Sequence, residues 1–265
     1  MAARRSRLSL AVPSRAPRPF PRPRNLRRVR VPLADGAKTT LWVAEHEPGP
    51  TDVRVVRFPR PTPLEAWCRR HGMQEAIVGG FFVRPGGAPL GELRTRGIAR
   101  ATVPFDEPWA ALRACVHIAA GEVRILRRGE LPPAPPGDLL QAGPLLVRDG
   151  KPVTGDDEGF SFGAHQFDAD ITEGRYPRAA LAIARDGSIL AVACDGRADR
   201  EVGMTLRELS ETLADLGAVQ AINLDGGGST SLVCGGRLRN RPCEEHGIEL
   251  AGGRAISTAI VFATR

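Results

Sequence analysis

At 265 residues the chain is long enough for one large domain or two small ones, and its 42% of hydrophobic residues can form a substantial core. The 30 glycines and 23 prolines require many turns, which excludes a helical bundle and favours a β-rich or α+β fold. The net charge of +7 resides in the N-terminal segment, because residues 1–30 carry ten arginines and no acidic residue. Charge therefore gives no support for nucleic-acid binding by the folded part of the chain.

The five cysteines indicate neither a zinc site nor a disulfide framework, since they are scattered and show no C-x-x-C spacing. Buried free thiols in a reducing compartment are expected instead. No apolar run approaches the roughly 18 residues of a membrane span. The apolar run at residues 8–12 is too short for a signal peptide, so a cytoplasmic protein is expected.

Residues 1–28 alternate proline with arginine, a composition that cannot form a packed core. We expect a disordered tail there and one folded domain over residues 29–265. The tail could also serve as an electrostatic tether to an anionic partner such as a nucleic acid.

Short strands dominate the predicted elements, and two hairpins are predicted at the turn dipeptides Asp35-Gly36 and Asp186-Gly187. The predicted strands are 29–32, 39–45, 53–58, 76–83 (interrupted by Gly79-Gly80), 114–118, 122–126, 145–147, 179–184, 188–194, 221–224, 231–234 and 255–262.

Two helices are predicted among these strands. One follows Pro63 and ends before Gly72, and the other covers residues 205–216. Thr205 and Glu208 have the spacing of a capping box at the start of the second helix. The sequence therefore predicts a single α+β domain with mixed or antiparallel sheets and few helices.

Residues 225–230 form the segment most indicative of chemistry, because an aspartate and three glycines directly follow an apolar strand. The glycine N–H groups could converge on an anion, while the carboxylate transfers a proton. The segment consists of Asp225, Gly226, Gly227, Gly228, Ser229 and Thr230. It lacks the G-K-[ST] ending of a P-loop, and a glycine-rich hairpin turn capped by Asp225 is an equally open interpretation.

Further candidate residues lie before and after the two hairpin strands near residue 190. Asp195 follows a strand and Arg197 is suited to phosphate, although an Asp-Gly turn with a surface arginine explains both. Arg178 precedes the other strand. His165 lies in a polar segment near Asp168, Asp170 and Glu173, where it is either a surface residue or an acid–base group.

The order of these motifs resembles the phosphodiester glycosidase family. That family includes the lysosomal uncovering enzyme, an N-acetylglucosamine-1-phosphodiester alpha-N-acetylglucosaminidase, and bacterial proteins linked to exopolysaccharide. The resemblance covers about residues 76–262. The residues that carry it are Ala221 to Thr230, Gly79-Gly80-Phe81-Phe82, Gln141 to Leu146, Arg178, Asp195-Gly196-Arg197, Gly203 to Leu206 with Glu208, Asn240 with Pro242, and Arg254.

The resemblance implies hydrolysis of a sugar-1-phosphodiester. Asp225 and Asp195 are the first candidates for the carboxylates, with Glu208 and His165 in reserve. Arg178 and Arg197 would bind phosphate together with the glycine loop. The remaining candidates for contact with the substrate are Gly79, Gly80, Gln141, Asn223 and Asn240.

No cofactor is predicted, although a divalent cation among Asp225, Asp195 and the acids at 168–173 stays open. Val78 and Ala182 stand where the family pattern has Asn and Gly. An alternative of a different class is therefore a non-catalytic glycan- or phosphosugar-binding protein with the same fold.

Overall fold

The structure, a computed structural model, describes residues 25–153 and 174–264. The strands in chain order are β1 Leu26–Pro32, β2 Lys38–His46, β3 Thr51–Pro63, β4 Glu75–Val78, β5 Phe82–Val83, β6 Ala88–Pro89, β7 Leu93–Thr95, β8 Ile98–Ala99, β9 Ala114–Ala119, β10 Glu122–Arg127, β11 Asp138–Gln141, β12 Leu145–Arg148, β13 Lys151–Pro152, β14 Arg178–Ala184, β15 Ile189–Cys194, β16 Ala218–Asn223, β17 Leu232–Cys234, β18 Arg237–Leu238 and β19 Ala255–Thr264.

The predicted hairpin at Asp35-Gly36 is confirmed, and it forms one edge of the largest sheet. β1 and β2 pair antiparallel on either side of a turn in which Gly36 has a φ of 84°. β1 begins at Leu26, which pairs with Ala44, so residues 26–28 belong to the fold and not to the tail. Leu26 packs on the core, and its burial explains why β1 begins before the predicted boundary of the folded domain at residue 29.

Three sheets contain most of the strands. The largest has the order β1-β2-β15-β14-β16-β12-β13, and the two five-stranded sheets have the orders β10-β9-β11-β7-β8 and β18-β17-β4-β19-β3. All pairings of these named strands are antiparallel. The predicted α+β class with few helices is therefore confirmed, and its sheets are antiparallel.

In the described part of the chain the α-helices are α1 Leu64–His71, α2 Trp109–Leu112 and α3 Leu206–Asp215. α1 ends at Gly72, whose φ of 68° places it in the left-handed region that favours glycine. The capping box of α3 is confirmed: Thr205 Oγ1 accepts the Glu208 N–H at 3.1 Å, and Glu208 Oε2 accepts the Thr205 N–H at 2.9 Å. The apolar stripe of α3 is buried, which orients the helix on the sheet.

The order of the central strands determines where the candidate site lies. β14 is antiparallel to both β15 and β16, so these two strands end at the same edge of the sheet. Asp195 follows β15 and Asp225 follows β16. The two aspartates thus lie on either side of the start of β14, and the strands that they follow are not adjacent.

All five cysteines are buried free thiols, as expected. Among the described residues, no helix has the length and apolar character needed to span a membrane.

Candidate functional site

The backbone holds the glycine loop, residues 225–230, against two other segments. The Asp225 N–H donates to the Gly79 carbonyl at 3.0 Å, and the Gly227 N–H donates to the Pro177 carbonyl at 2.8 Å. The Gly226 N–H donates to Oδ1 of Asp225 at 3.0 Å. The N–H groups of Gly226 and Gly227 are therefore already bonded within the protein and are not available to an anion.

Gly227 and Gly228 each occupy a position that disfavours a side chain. Gly227 has a φ of 60°, which disfavours a Cβ atom. A Cβ at Gly228 would lie 2.8 Å from Glu244 Oε1 and 2.9 Å from Arg254 Nη2. A side chain at 228 would therefore displace the ion pair that packs directly against the loop backbone.

Asp225 is the only one of the predicted catalytic residues that the structure places on this loop, among those it describes. Its side chain is partly exposed, but burial of the carboxyl group raises its pKa to about 6. Hydrogen bonding with Ser229 and the positive charges of Arg254 and Arg84 act in the opposite direction. A carboxyl group with this pKa exchanges protons readily near neutral pH.

The ion pair of Glu244 and Arg254 lies on the other side of the loop. Arg254 Nε donates to Glu244 Oε1 at 2.8 Å, and Nη2 contacts both oxygens of Glu244. Arg254 Nη1 is 3.4 Å from the hydroxyl of Ser229. Hydrogen bonding from Arg254 lowers the pKa of Glu244 below its ordinary value. Two carboxyl groups at one site are thus shifted in opposite directions, a pattern common in acid–base sites.

Glu244 was not predicted as a site residue, and Arg254 was noted only as part of the resemblance. The position of Arg254 directly before the last strand was the available signal. Glu244 lies in an irregular segment where no local pattern distinguishes it from a surface acid.

Arg197 extends over the glycine loop, and its contact with phosphate stays a prediction. Its Nη1 lies 3.3 Å from the position that a Cβ of Gly227 would occupy, and donates to the Cys243 carbonyl at 3.4 Å. Its guanidinium is 4.9 Å from the ring centroid of Tyr176, within cation–π range. The backbone of Arg197 has a φ of 60°, an unusual conformation that often occurs at functional sites.

Arg178 is nearby but is buried and bonded to the backbone. Its Nε donates to the Met204 carbonyl and its Nη2 to the Gly174 carbonyl, both at 3.0 Å. Burial lowers the pKa of Arg178 to about 10. Its contacts indicate that it anchors the start of β14 to neighbouring backbone, and its predicted contact with phosphate has no support from this geometry.

Both carboxylate oxygens of Asp195 are bonded within the protein. Oδ2 accepts the Trp42 indole N–H at 2.9 Å, and Oδ1 accepts the Arg241 N–H at 2.7 Å. Burial raises the pKa of Asp195 against these two hydrogen bonds. Asp195 thus joins β2 to the segment that leads to Glu244, and its catalytic role stays a prediction.

Glu208 forms the hydrogen bonds of the capping box, and its Oε1 also accepts a hydrogen bond from Arg175 Nε at 3.0 Å. Burial raises the pKa of Glu208, but the hydrogen bonds from Arg175 and Thr205 outweigh it and leave the pKa lowered. His165 and the acids at 168–173 lie outside the described residues.

Of the three side chains predicted to contact the sugar, Asn240 and Asn223 form hydrogen bonds next to the glycine loop, and Gln141 lines a separate cavity. Asn240 bonds to Leu232 N at 2.8 Å and to Thr230 O at 2.7 Å, so it supports the end of the loop. Asn223 Nδ2 donates to Leu224 O at 2.9 Å. Gln141 is bonded to Glu92 N and Ala110 O and lines a cavity of about 470 Å³.

Gly79 supports the loop because its carbonyl accepts the Asp225 N–H, whereas the Gly80 N–H donates to Thr258 Oγ1 at 3.0 Å. A Cβ at Gly79 would lie 2.5 Å from Thr258 Oγ1, so this close approach needs glycine. Two cavities among the described residues, of about 210 and 470 Å³, are lined by residues outside the loop. Within residues 25–153 and 174–264, no three His, Cys, Asp or Glu side chains come together as metal ligands.

Comparison with known proteins gives the family of this chain. The family described as phosphodiester glycosidase matches residues 71–263. The chain is a member of the phosphodiester glycosidase family. This confirms the resemblance drawn from the glycine loop and its accompanying motifs.

Similar sequences cover limited parts of longer proteins. The mouse N-acetylglucosamine-1-phosphodiester alpha-N-acetylglucosaminidase is 37% identical over 67 residues, which are 25% of this chain and 13% of the mouse protein. An uncharacterised SPbeta prophage-derived protein of Bacillus subtilis is 31% identical over 152 residues, which are 54% of this chain and 21% of that protein.

Solved structures show the same fold at low identity. The catalytic domain of the zebrafish N-acetylglucosamine-1-phosphodiester alpha-N-acetylglucosaminidase has a TM-score of 0.67 at 21% identity, covering 91% of this chain and 83% of that chain. A hypothetical protein from Synechocystis has a TM-score of 0.62 at 20% identity, covering 91% of this chain and 62% of that chain.

Proposed function

We propose that this protein hydrolyses the bond between the anomeric carbon of a sugar and a phosphodiester oxygen. The observation that carries the proposal is the Asp225 carboxyl group, which lies on a loop flanked by arginines and has a pKa of about 6. Membership of the phosphodiester glycosidase family supports the reaction class. The sugar-1-phosphodiester is therefore the proposed substrate class.

In the proposed reaction, water attacks the anomeric carbon while ionised Asp225 accepts a proton from that water. The bond from the anomeric carbon to the phosphate oxygen breaks, and its electron pair leaves with the phosphate. The products are the free sugar and a phosphomonoester. The leaving phosphate is a weak base, so stabilising its charge matters more than protonating it.

We assign Arg197 and Arg254 the role of stabilising the negative charge of the leaving phosphate. Arg197 lies over Gly227, and Arg254 lies against Gly228 and Ser229, so their guanidinium groups approach the same loop. Guanidinium groups bind phosphate oxygens with good geometry, and their positions are already determined before the substrate arrives. Ser229 would complete the contact because its hydroxyl is near both Arg254 and Asp225.

The test compares Asp225→Asn with Asp186→Asn. Asp186 also precedes a glycine in a turn, but it lies in the hairpin between β14 and β15. Asp225→Asn should lower kcat on a sugar phosphodiester by about 10²-fold or more, the scale of acid–base catalysis. Asp186→Asn should leave kcat unchanged. Circular dichroism and melting curves establish that both variants are folded.

Binding measurements on the same proteins separate an enzyme from a binding protein. The parent protein should turn over a sugar phosphodiester, and Asp225→Asn should still bind a sugar 1-phosphate. If the parent protein binds these ligands without turnover, the non-catalytic alternative is correct. If folded Asp225→Asn retains the parent rate, Asp225 is only a turn residue.

A further inference from the structure

Glu244 and the guanidinium of Arg254 bond to each other, and both lie directly against Gly228 of the glycine loop. Arg254 directs Nε and Nη2 to Glu244, and Nη1 to the Ser229 hydroxyl. The Arg254 backbone N–H also donates to the Gly228 carbonyl at 3.1 Å. The guanidinium thus has two side-chain partners and the Arg254 backbone is fixed to the loop, while both side chains of the pair are only partly exposed, 20% for Arg254 and 29% for Glu244.

Asp225 is close enough for Arg254 to act on its charge, yet no ion pair joins them in the part of the chain that the structure describes. Ser229 stands between the two, because it approaches Arg254 Nη1 and also bonds with Asp225. Arg254 is therefore near a second carboxylate but forms its ion pair with Glu244.

The other charged groups around this loop do not duplicate Arg254. Arg84 is exposed and acts on both Asp225 and Glu244. Arg197 acts on Glu244 and lies over Gly227. Arg178 is buried beneath Tyr176 and bonded to backbone carbonyls. Arg254 alone among these four contacts a hydroxyl that itself bonds with Asp225.

We propose that Glu244 is a positioning residue: it holds the guanidinium of Arg254 against Gly228 and Ser229 and so prevents Arg254 from pairing directly with Asp225. An arginine that loses its carboxylate partner pairs with the nearest remaining one. Without Glu244, that remaining partner is Asp225. Glu244 thereby leaves Asp225 free to bind and release a proton.

This role deepens the proposed function, since it concerns the same site, but it has its own physical consequence. A direct arginine partner lowers the pKa of a carboxyl group by about 1–3 units. Asp225 would then be a weaker base for the attacking water. Loss of Glu244 should therefore change the titration of Asp225 whether or not a substrate is present.

The experiment is an NMR titration of the Asp225 carboxyl carbon in protein carrying ¹³C-labelled aspartate, with Asp225→Asn to assign the resonance. Glu244→Gln should lower the midpoint of Asp225 by about one pH unit or more. Arg254→Gln should raise it, because a stabilising positive charge is lost. The double variant should match Arg254→Gln, since Glu244 acts only through Arg254.

Glu249→Gln is the matched control, because Glu249 also pairs with an arginine, Arg241, in the same segment but is exposed. This control should leave the titration of Asp225 unchanged. An unchanged or raised midpoint in Glu244→Gln would overturn the proposal, as would an effect of Glu244→Gln that persists without Arg254.

Two features keep the test decisive. If Glu244→Gln does not fold, Glu244→Asp keeps the charge but withdraws it from Gly228, and it should shift the midpoint in the same direction. The titration requires no turnover. A missing shift therefore rejects the role of Glu244, whereas normal turnover by Asp225→Asn rejects the proposed function.

Discussion

Asp225→Asn should stabilise the folded protein at alkaline pH while it removes the proposed chemistry. The pKa of this carboxyl group is about 6 in the folded protein against an ordinary value of 3.8. Folding therefore disfavours its ionised form. Each pKa unit corresponds to about 1.4 kcal/mol, so the ionised group costs the fold at most about 3 kcal/mol. Partial exposure of the side chain makes this an upper bound.

The pH dependence follows from the raised pKa. Above about pH 6 the carboxyl group is ionised in both states, and the folded state carries the full cost. As pH falls from 6 towards 3.8, the folded state takes up its proton first and the cost disappears. Asparagine is never ionised, so the gain from Asp225→Asn should be largest near pH 8 and nearly absent near pH 4.

Urea denaturation of the parent and variant proteins at pH 8 and pH 4 measures this difference. Asp186→Asn is a control of opposite sign, because a hydrogen bond from the Ser188 N–H lowers the pKa of Asp186. That carboxylate contributes stability at high pH, which the variant should lose. An equal effect of Asp225→Asn at both pH values, or no gain at pH 8, would refute the reasoning about burial.

Two other predictions concern residues beside the loop. Gly228→Ala should lower turnover at least about tenfold, since its Cβ would lie 2.8 Å from Glu244 Oε1 and displace the ion pair. Gly86→Ala meets open space and should change nothing; equal rates in both variants would contradict this explanation. Glu208→Gln can keep the capping box and should cost at most about 1 kcal/mol in urea denaturation, with kcat unchanged. A fall of about 10²-fold in kcat with an intact fold would instead assign Glu208 to the chemistry.

Local patterns in the sequence predicted much of the fold, because turns and helix ends depend on residues close together in the chain. The Asp35-Gly36 and Asp186-Gly187 turns each join paired strands. Thr205 and Glu208 form the predicted capping box. The short strands and few helices likewise gave the correct fold class. These features need no knowledge of distant contacts.

The candidate site was predicted only in part. The run from Asp225 to Thr230 located the loop, since three consecutive glycines after an apolar strand are a local pattern. The same reasoning favoured Asp195 and Arg178, because a sequence does not show whether a carboxylate at the end of a strand or an arginine already has hydrogen-bond partners. Their hydrogen-bond partners, Trp42 and Met204, lie far from them in the chain. The hydrogen bonds of Asp195 and Arg178 are therefore visible only in the tertiary structure.

The sequence by itself determined the family, the fold class and the position of the glycine loop, because each depends on a pattern of neighbouring residues. The tertiary structure decided which charges surround that loop. β14 separates the two aspartates, and the segment after β18 brings Glu244 and Arg254 against Gly228. The pKa of Asp225 depends on burial and on charges from residues far along the chain. Such contacts arise when distant strands pair, and no local spacing encodes them.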